Sequence, residues 1–136
     1  MAKQLILSID YGGSSTKIIG GLSLEERTPL VMDSEIIEVP ANSVKHSADE
    51  ELGLSGNNPM RQAWVRVGET TMVVGYLAKA RFFGNPQLSQ LKKNTAIYKT
   101  LAAVWILAQT YQLGNKFDLA LICCLPPGEY RDKVQF

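Results

Sequence analysis

Leu5-Ile6-Leu7-Ser8-Ile9 runs apolar as far as Asp10 and then gives way to Gly12-Gly13-Ser14-Ser15. That is the pattern of a strand closed by a turn of small residues. Thr16 to Leu22 resumes with the β-branched Ile18 and Ile19, up to the polar turn Glu25-Glu26-Arg27-Thr28-Pro29. Leu30 to Val39 reads as a third strand, stopped by Pro40. Three strands joined by short turns predict an antiparallel meander.

The middle of the chain lacks this regularity. Residues 41–60 are rich in Ser, Asn, Gly and charge with no sustained period, which predicts a mobile surface insertion or a segment ordered by a partner. Trp64-Val65-Arg66-Val67 and Thr71-Met72-Val73-Val74 flank Gly68-Glu69-Thr70 as a β-hairpin, and Asn85-Pro86 ends the local structure. From Lys93 the period changes. Ile97, Leu101, Val104, Trp105, Ala108 and Tyr111 fall at steps of three and four, which places them on one face of a helix with Trp105 in the core. Gly114-Asn115 stops it. The apolar run Asp118 to Leu125 then predicts a strand buried on both faces, closed by Pro126-Pro127-Gly128, with a further helix beginning at Glu129.

Composition narrows the class. An apolar share of 46% and a charged share of 20% suit a single packed domain over residues 1–136. The net charge of +1 lacks the basic footprint of an autonomous nucleic-acid binder, so direct DNA binding is not expected. No apolar run approaches the roughly 20 residues that span a bilayer, and the N-terminus lacks a secretory pattern. A soluble cytoplasmic protein with no membrane partner is the expectation. Cys123 and Cys124 are adjacent in an apolar run, and His46 is the one histidine. Neighbours on a strand point to opposite faces, which disfavours a disulfide between them; they read as buried packing residues and a poor metal set.

The chemistry sits in Ile9-Asp10-Tyr11-Gly12-Gly13-Ser14-Ser15-Thr16-Lys17. Glycines let backbone N–H groups approach an anion, the Ser and Thr hydroxyls add donors, and Lys17 adds a compact positive charge. Asp10 conflicts with phosphate unless a cation intervenes, and Mg²⁺ held through carboxylate and water resolves the conflict. Gly12, Gly13, Ser14, Ser15, Thr16 and Lys17 are thus candidate phosphate ligands, with Asp10 as the metal-side group. The plain alternative is a hairpin turn in which Asp10 caps backbone groups and Lys17 is solvated.

IDYGGSSTK resembles the first phosphate loop, D-x-G-x-x-x-x-K, of the actin/Hsp70/sugar-kinase superfamily, most closely the ParM-type plasmid-segregation actins of bacteria. LALICCLPPGEYRDK is similar to their apolar strand followed by L-P-x-x-E-Y. The resemblance implies an α/β, actin-like ATPase (RNase H-like) subdomain. Its mixed sheet would combine the antiparallel three-strand start with a long helix and a buried parallel strand. It further implies a nucleotide-dependent, filament-forming protein for plasmid or DNA segregation, using Mg²⁺ with ATP or GTP, self-assembling, and served by a DNA-binding adaptor. In the family the nucleotide lies between two halves. No second D-x-G loop follows Lys17, so the second nucleotide-binding half and the water-orienting residue are absent. The chain looks like the N-terminal part of a longer protein, with no catalytic residue of its own.

Other residues read more plainly. Lys92-Lys93 suits a solvated helix start, and Glu129 suits the dipole at the beginning of a helix. Trp64 beside Arg66 suits cross-strand packing. Three rival functions stand beside the leading one. A small-molecule kinase of the same superfamily needs a substrate-deprotonating Asp, for which only Asp132 is present after the last strand. A non-enzymatic assembly or binding module would use an exposed sheet edge or residues 41–60. An RNase H-like nuclease would share Asp10 but needs several converging carboxylates.

Overall fold

Strand β1 (Gln4–Tyr11) turns Leu5, Leu7, Ile9 and Tyr11 inward and Gln4, Ile6, Ser8 and Asp10 outward, because successive side chains on a strand alternate faces. The computed structural model describes residues 3–87 and 93–124. Strands β2 (Ser15–Gly21) and β3 (Arg27–Asp33) follow antiparallel, and β4 (Ile36–Glu38) comes next. Helix α1 (Ala41–Ser55) and a 3₁₀ turn at Pro59–Arg61 lead to the hairpin of β5 (Trp64–Val67) and β6 (Thr70–Val74). Helices α2 (Tyr76–Arg81) and α3 (Lys93–Thr110) precede β7 (Asp118–Cys124), which pairs parallel to β1.

Two sheets result, in the orders β3-β2-β1-β7 and β4-β6-β5. The larger packs its inner face, with Ile18 and Met32, against α3 in the main core. A smaller core joins Val44 of α1 to Val73, Leu77 and Ala78. Among the described residues no helix is long and apolar enough to cross a membrane.

The structure departs from the sequence pattern in four places. The third strand is two. The chain leaves β3 at Asp33, buries Ser34, and enters the second sheet as β4 beside β6. Alternation continues through the break, so the pattern alone does not mark a change of sheet.

Residues 41–60, in which the sequence shows no sustained period, carry α1 and the start of the 3₁₀ turn. Of the described α1 side chains, Val44 alone is buried.

The buried face of α3 is also rotated from the expected one. Ala96, Thr100, Ala103 and Leu107 lie inward, while Ile97, Leu101 and Trp105 are 37%, 40% and 37% exposed. Trp105 is therefore not core. Large residues already fill the sheet's inner face, so α3 approaches on its alanines. Leu107 takes the space above Gly20, where a β-carbon would press on its methyl group.

The last correction concerns β7, expected to be buried on both faces. Among the described residues it lies at the sheet edge, with Leu119 44% and Ile122 61% exposed. Cys123 is half-buried and Cys124 exposed, against the expectation of two packing cysteines. The turn after β7, the helix at Glu129, Asp132 and Lys92 lie outside the described residues.

Candidate functional site

The outward face of the main sheet carries the charged groups. Register sets Asp10 opposite Lys17 across the β1–β2 ladder, and Asp10 beside Cys124 across the β1–β7 ladder. Asp10, Lys17 and Cys124 are all exposed. Gly13 and Ser14 at the tip of the connecting loop are exposed, and Gly12 and Ser15 are half-exposed. Asp10, Gly12, Gly13, Ser14, Ser15 and Lys17 thus share one end of the sheet.

Thr16 stands apart. The β2 alternation turns its side chain inward, where it is fully buried and its hydroxyl has no hydrogen-bond partner. On this geometry its side chain faces away from the outward groups.

The loop is held from several sides. The Gly12 N–H donates to the Asp10 carbonyl at 3.2 Å, and the buried Ser34 hydroxyl donates to the Gly12 carbonyl at 3.1 Å. A β-carbon at residue 12 would run into the Ser15 carbonyl oxygen, so the loop closes this tightly only over glycine. Asp33, opposite Ser15 in register, is paired with Lys79 of α2 at 3.6 Å.

Tyr11 anchors the loop's inner side. Its ring is buried, and its hydroxyl is hydrogen-bonded to Thr100 of α3 and lies 3.4 Å from Cys123 Sγ of β7. Thr100 donates its own proton to the Ala96 carbonyl at 2.7 Å. The Tyr11 hydroxyl donates to Cys123 Sγ, and at the Thr100 contact either oxygen can supply the proton. Burial, helped by the Cys123 contact, pushes the Tyr11 hydroxyl well above the ordinary tyrosine range. Burial also pushes the Cys123 thiol up.

Two participants are not evident in the linear pattern. Ser34 sits inside what reads as a continuous strand. Cys124 reads as core, yet lies on the outward face beside Asp10. For the rest, His46 pairs with Glu50 at 3.0 Å on the exposed surface of α1, and Trp64 stands opposite Val73 in the β5–β6 register.

The donor set suits a hydrated cation on an anionic ligand. Among the described residues no three His, Cys, Asp or Glu side chains gather as a metal cage. Asp10 is the carboxylate here that could hold a Mg²⁺ ion keeping most of its water, if phosphate oxygens supplied the remaining ligands.

The chain from residue 8 to residue 135 matches the family described as actin-like proteins, N-terminal domain, and it belongs to that family. Searches of curated proteins and of solved structures gave no match.

Proposed function

We propose that this chain is the phosphate-binding N-terminal part of a ParM-type, nucleotide-dependent filament protein that serves plasmid or DNA segregation in the cytoplasm. The observation that carries the reading is the pairing of Asp10 and Lys17 on one exposed face, at the mouth of a loop that Gly12 alone can close. The backbone N–H groups of the loop and the Ser14 and Ser15 hydroxyls bind phosphate oxygens, and Lys17 neutralises their charge. Asp10 holds the waters of Mg²⁺, which when bound screens the phosphate charge from the carboxylate. ATP or GTP, an adaptor that carries the DNA, and self-assembly belong to the same proposal.

Hydrolysis requires groups positioned on the far side of the phosphates. This 136-residue chain offers one loop, so by itself it should bind nucleotide weakly and turn over negligibly. The test is titration calorimetry of the full-length protein with Mg-ATP and Mg-GTP, alongside light scattering for assembly. Nucleotide-dependent scattering supports the reading; absence of binding to either nucleotide overturns it.

A second reading, a non-enzymatic assembly module, is favoured by the edge position of β7 among the described residues and by an apolar hollow of about 160 Å³ lined in part by Ile6, Ile19, Leu24 and Ile122. Asp10 and Lys17 do not line that hollow. Assembly that proceeds equally without nucleotide would put this reading first.

A further inference from the structure

We infer that Tyr11 is a positioning residue that sets the loop for phosphate through its hydroxyl, an inference that rests on the nucleotide reading above. Tyr11 is the last residue of β1, and the loop begins at the next position. Its hydroxyl joins two elements distant in sequence, Thr100 of α3 and Cys123 of β7. A buried phenolic hydroxyl is costly unless bonded, so it is satisfied only when the end of β1 sits at one height and angle over α3. The Ser34 hydroxyl holds the Gly12 carbonyl. The two contacts bracket the peptide between residues 11 and 12, and so aim the loop's N–H groups. The ring alone fills the core volume. The hydroxyl adds the aim.

This separates positioning from packing. Tyr11→Phe keeps the ring and leaves Thr100 bonded to the Ala96 carbonyl, so the variant should fold. In the full-length protein its affinity for Mg-ATP should fall about three- to tenfold, the range of one neutral hydrogen bond. Thr100→Val should produce a similar loss, and Thr100→Ser, which keeps the hydroxyl, should bind like wild type. Tyr11→Phe combined with Thr100→Val should lose little beyond either single change, since both remove one contact.

Amide exchange provides a reading independent of affinity. Gly12 to Ser15 should exchange faster in Tyr11→Phe, while β5 and β6 stay as protected as in wild type. Equal Mg-ATP affinity in wild type and Tyr11→Phe overturns the inference and leaves the nucleotide reading intact. A loss in Tyr11→Phe accompanied by an equal loss in Thr100→Ser, with protection falling throughout the domain, also overturns it, because the role is then stability. A wild-type protein that binds no nucleotide overturns both.

Discussion

Asp10 and Lys17 stand directly opposite each other in the β1–β2 ladder, yet among the described residues no ion pair joins them. Opposed positions on antiparallel strands have β-carbons about 4.5–5.5 Å apart, so an ion pair is within reach of these side chains. Both instead project from an exposed surface next to a closed glycine loop. A carboxylate and an ammonium left available side by side suit a ligand that carries both a cation and an anion.

Asp10→Ala and Lys17→Ala should therefore weaken Mg-nucleotide binding by different routes. Without Asp10 the ion loses a partner for its waters, and raising Mg²⁺ should recover part of the affinity. Without Lys17 a charge-assisted contact worth about 1.5–3 kcal/mol is gone, roughly ten- to a hundredfold in affinity, and added Mg²⁺ should not restore it. Calorimetric titrations at low and high Mg²⁺ distinguish the two. Equal response of both variants to Mg²⁺ would argue against Asp10 as the metal-side group.

Gly12→Ala and Gly53→Ala should have opposite signs. The new β-carbon at residue 12 meets backbone oxygen of Ser15, which has no side-chain freedom to yield. A loss of about 1–3 kcal/mol is expected, by analogy with overpacking. At residue 53, inside α1, nothing lies within 4 Å of the added carbon. There the helix propensity of alanine should contribute up to about 1 kcal/mol of stability. Urea midpoints of the two variants check both signs, and a stable Gly12→Ala would mean that the loop is free to open.

Alkaline pH should find a weakness at Tyr11. Its proton, like that of Cys123, is held more tightly in the fold than in the open chain. Each group's stabilising share is therefore complete below its unfolded pKa and declines as the pH rises towards and through the folded one. The window opens near about pH 8.5 for the thiol and about pH 10 for the phenol. Above about pH 10, wild-type unfolding free energy should drop more steeply than that of Tyr11→Phe, by up to about 1.4 kcal/mol per pH unit. Urea unfolding across that range measures it; parallel curves would show that the hydroxyl ionises as easily folded as unfolded.

The edge that β7 forms among the described residues should support self-association of this chain, because an open apolar edge templates pairing with another copy. Ile122→Lys places a charge on that edge without touching the core. It should shift sedimentation towards monomer, with stability within about 0.5 kcal/mol of wild type. A wild-type chain that is monomeric throughout a concentration series would show that the edge is not used.

Much of the fold is legible along the chain where the physics is local. Leu5, Leu7 and Ile9 alternate with outward residues because a strand repeats every two positions, and residues 93–110 repeat at a helical step. The turn after Asp10 is marked by its glycines and serines for the same reason. What escaped is equally particular. The rotation of α3 depended on Gly20 lying under Leu107, and the split between β3 and β4 on Ser34 being drawn to the Gly12 carbonyl. Neither partner is near the other in sequence.

The candidate site divides along the same line. Residue type and spacing from Asp10 to Lys17 were enough to mark this segment as a candidate phosphate loop, because glycine freedom and side-chain charge are properties of single residues. The sequence by itself determined that a carboxylate, a small-residue loop and a lysine would follow one buried strand. Only the tertiary structure decided that Asp10 and Lys17 share a face, that Thr16 turns away from them, and that Tyr11 is held by Thr100 and Cys123. Register and long-range hydrogen bonds join residues as distant in sequence as Lys3 and Asp118, and such contacts are chosen by the packing of the whole domain, beyond the reach of any local preference.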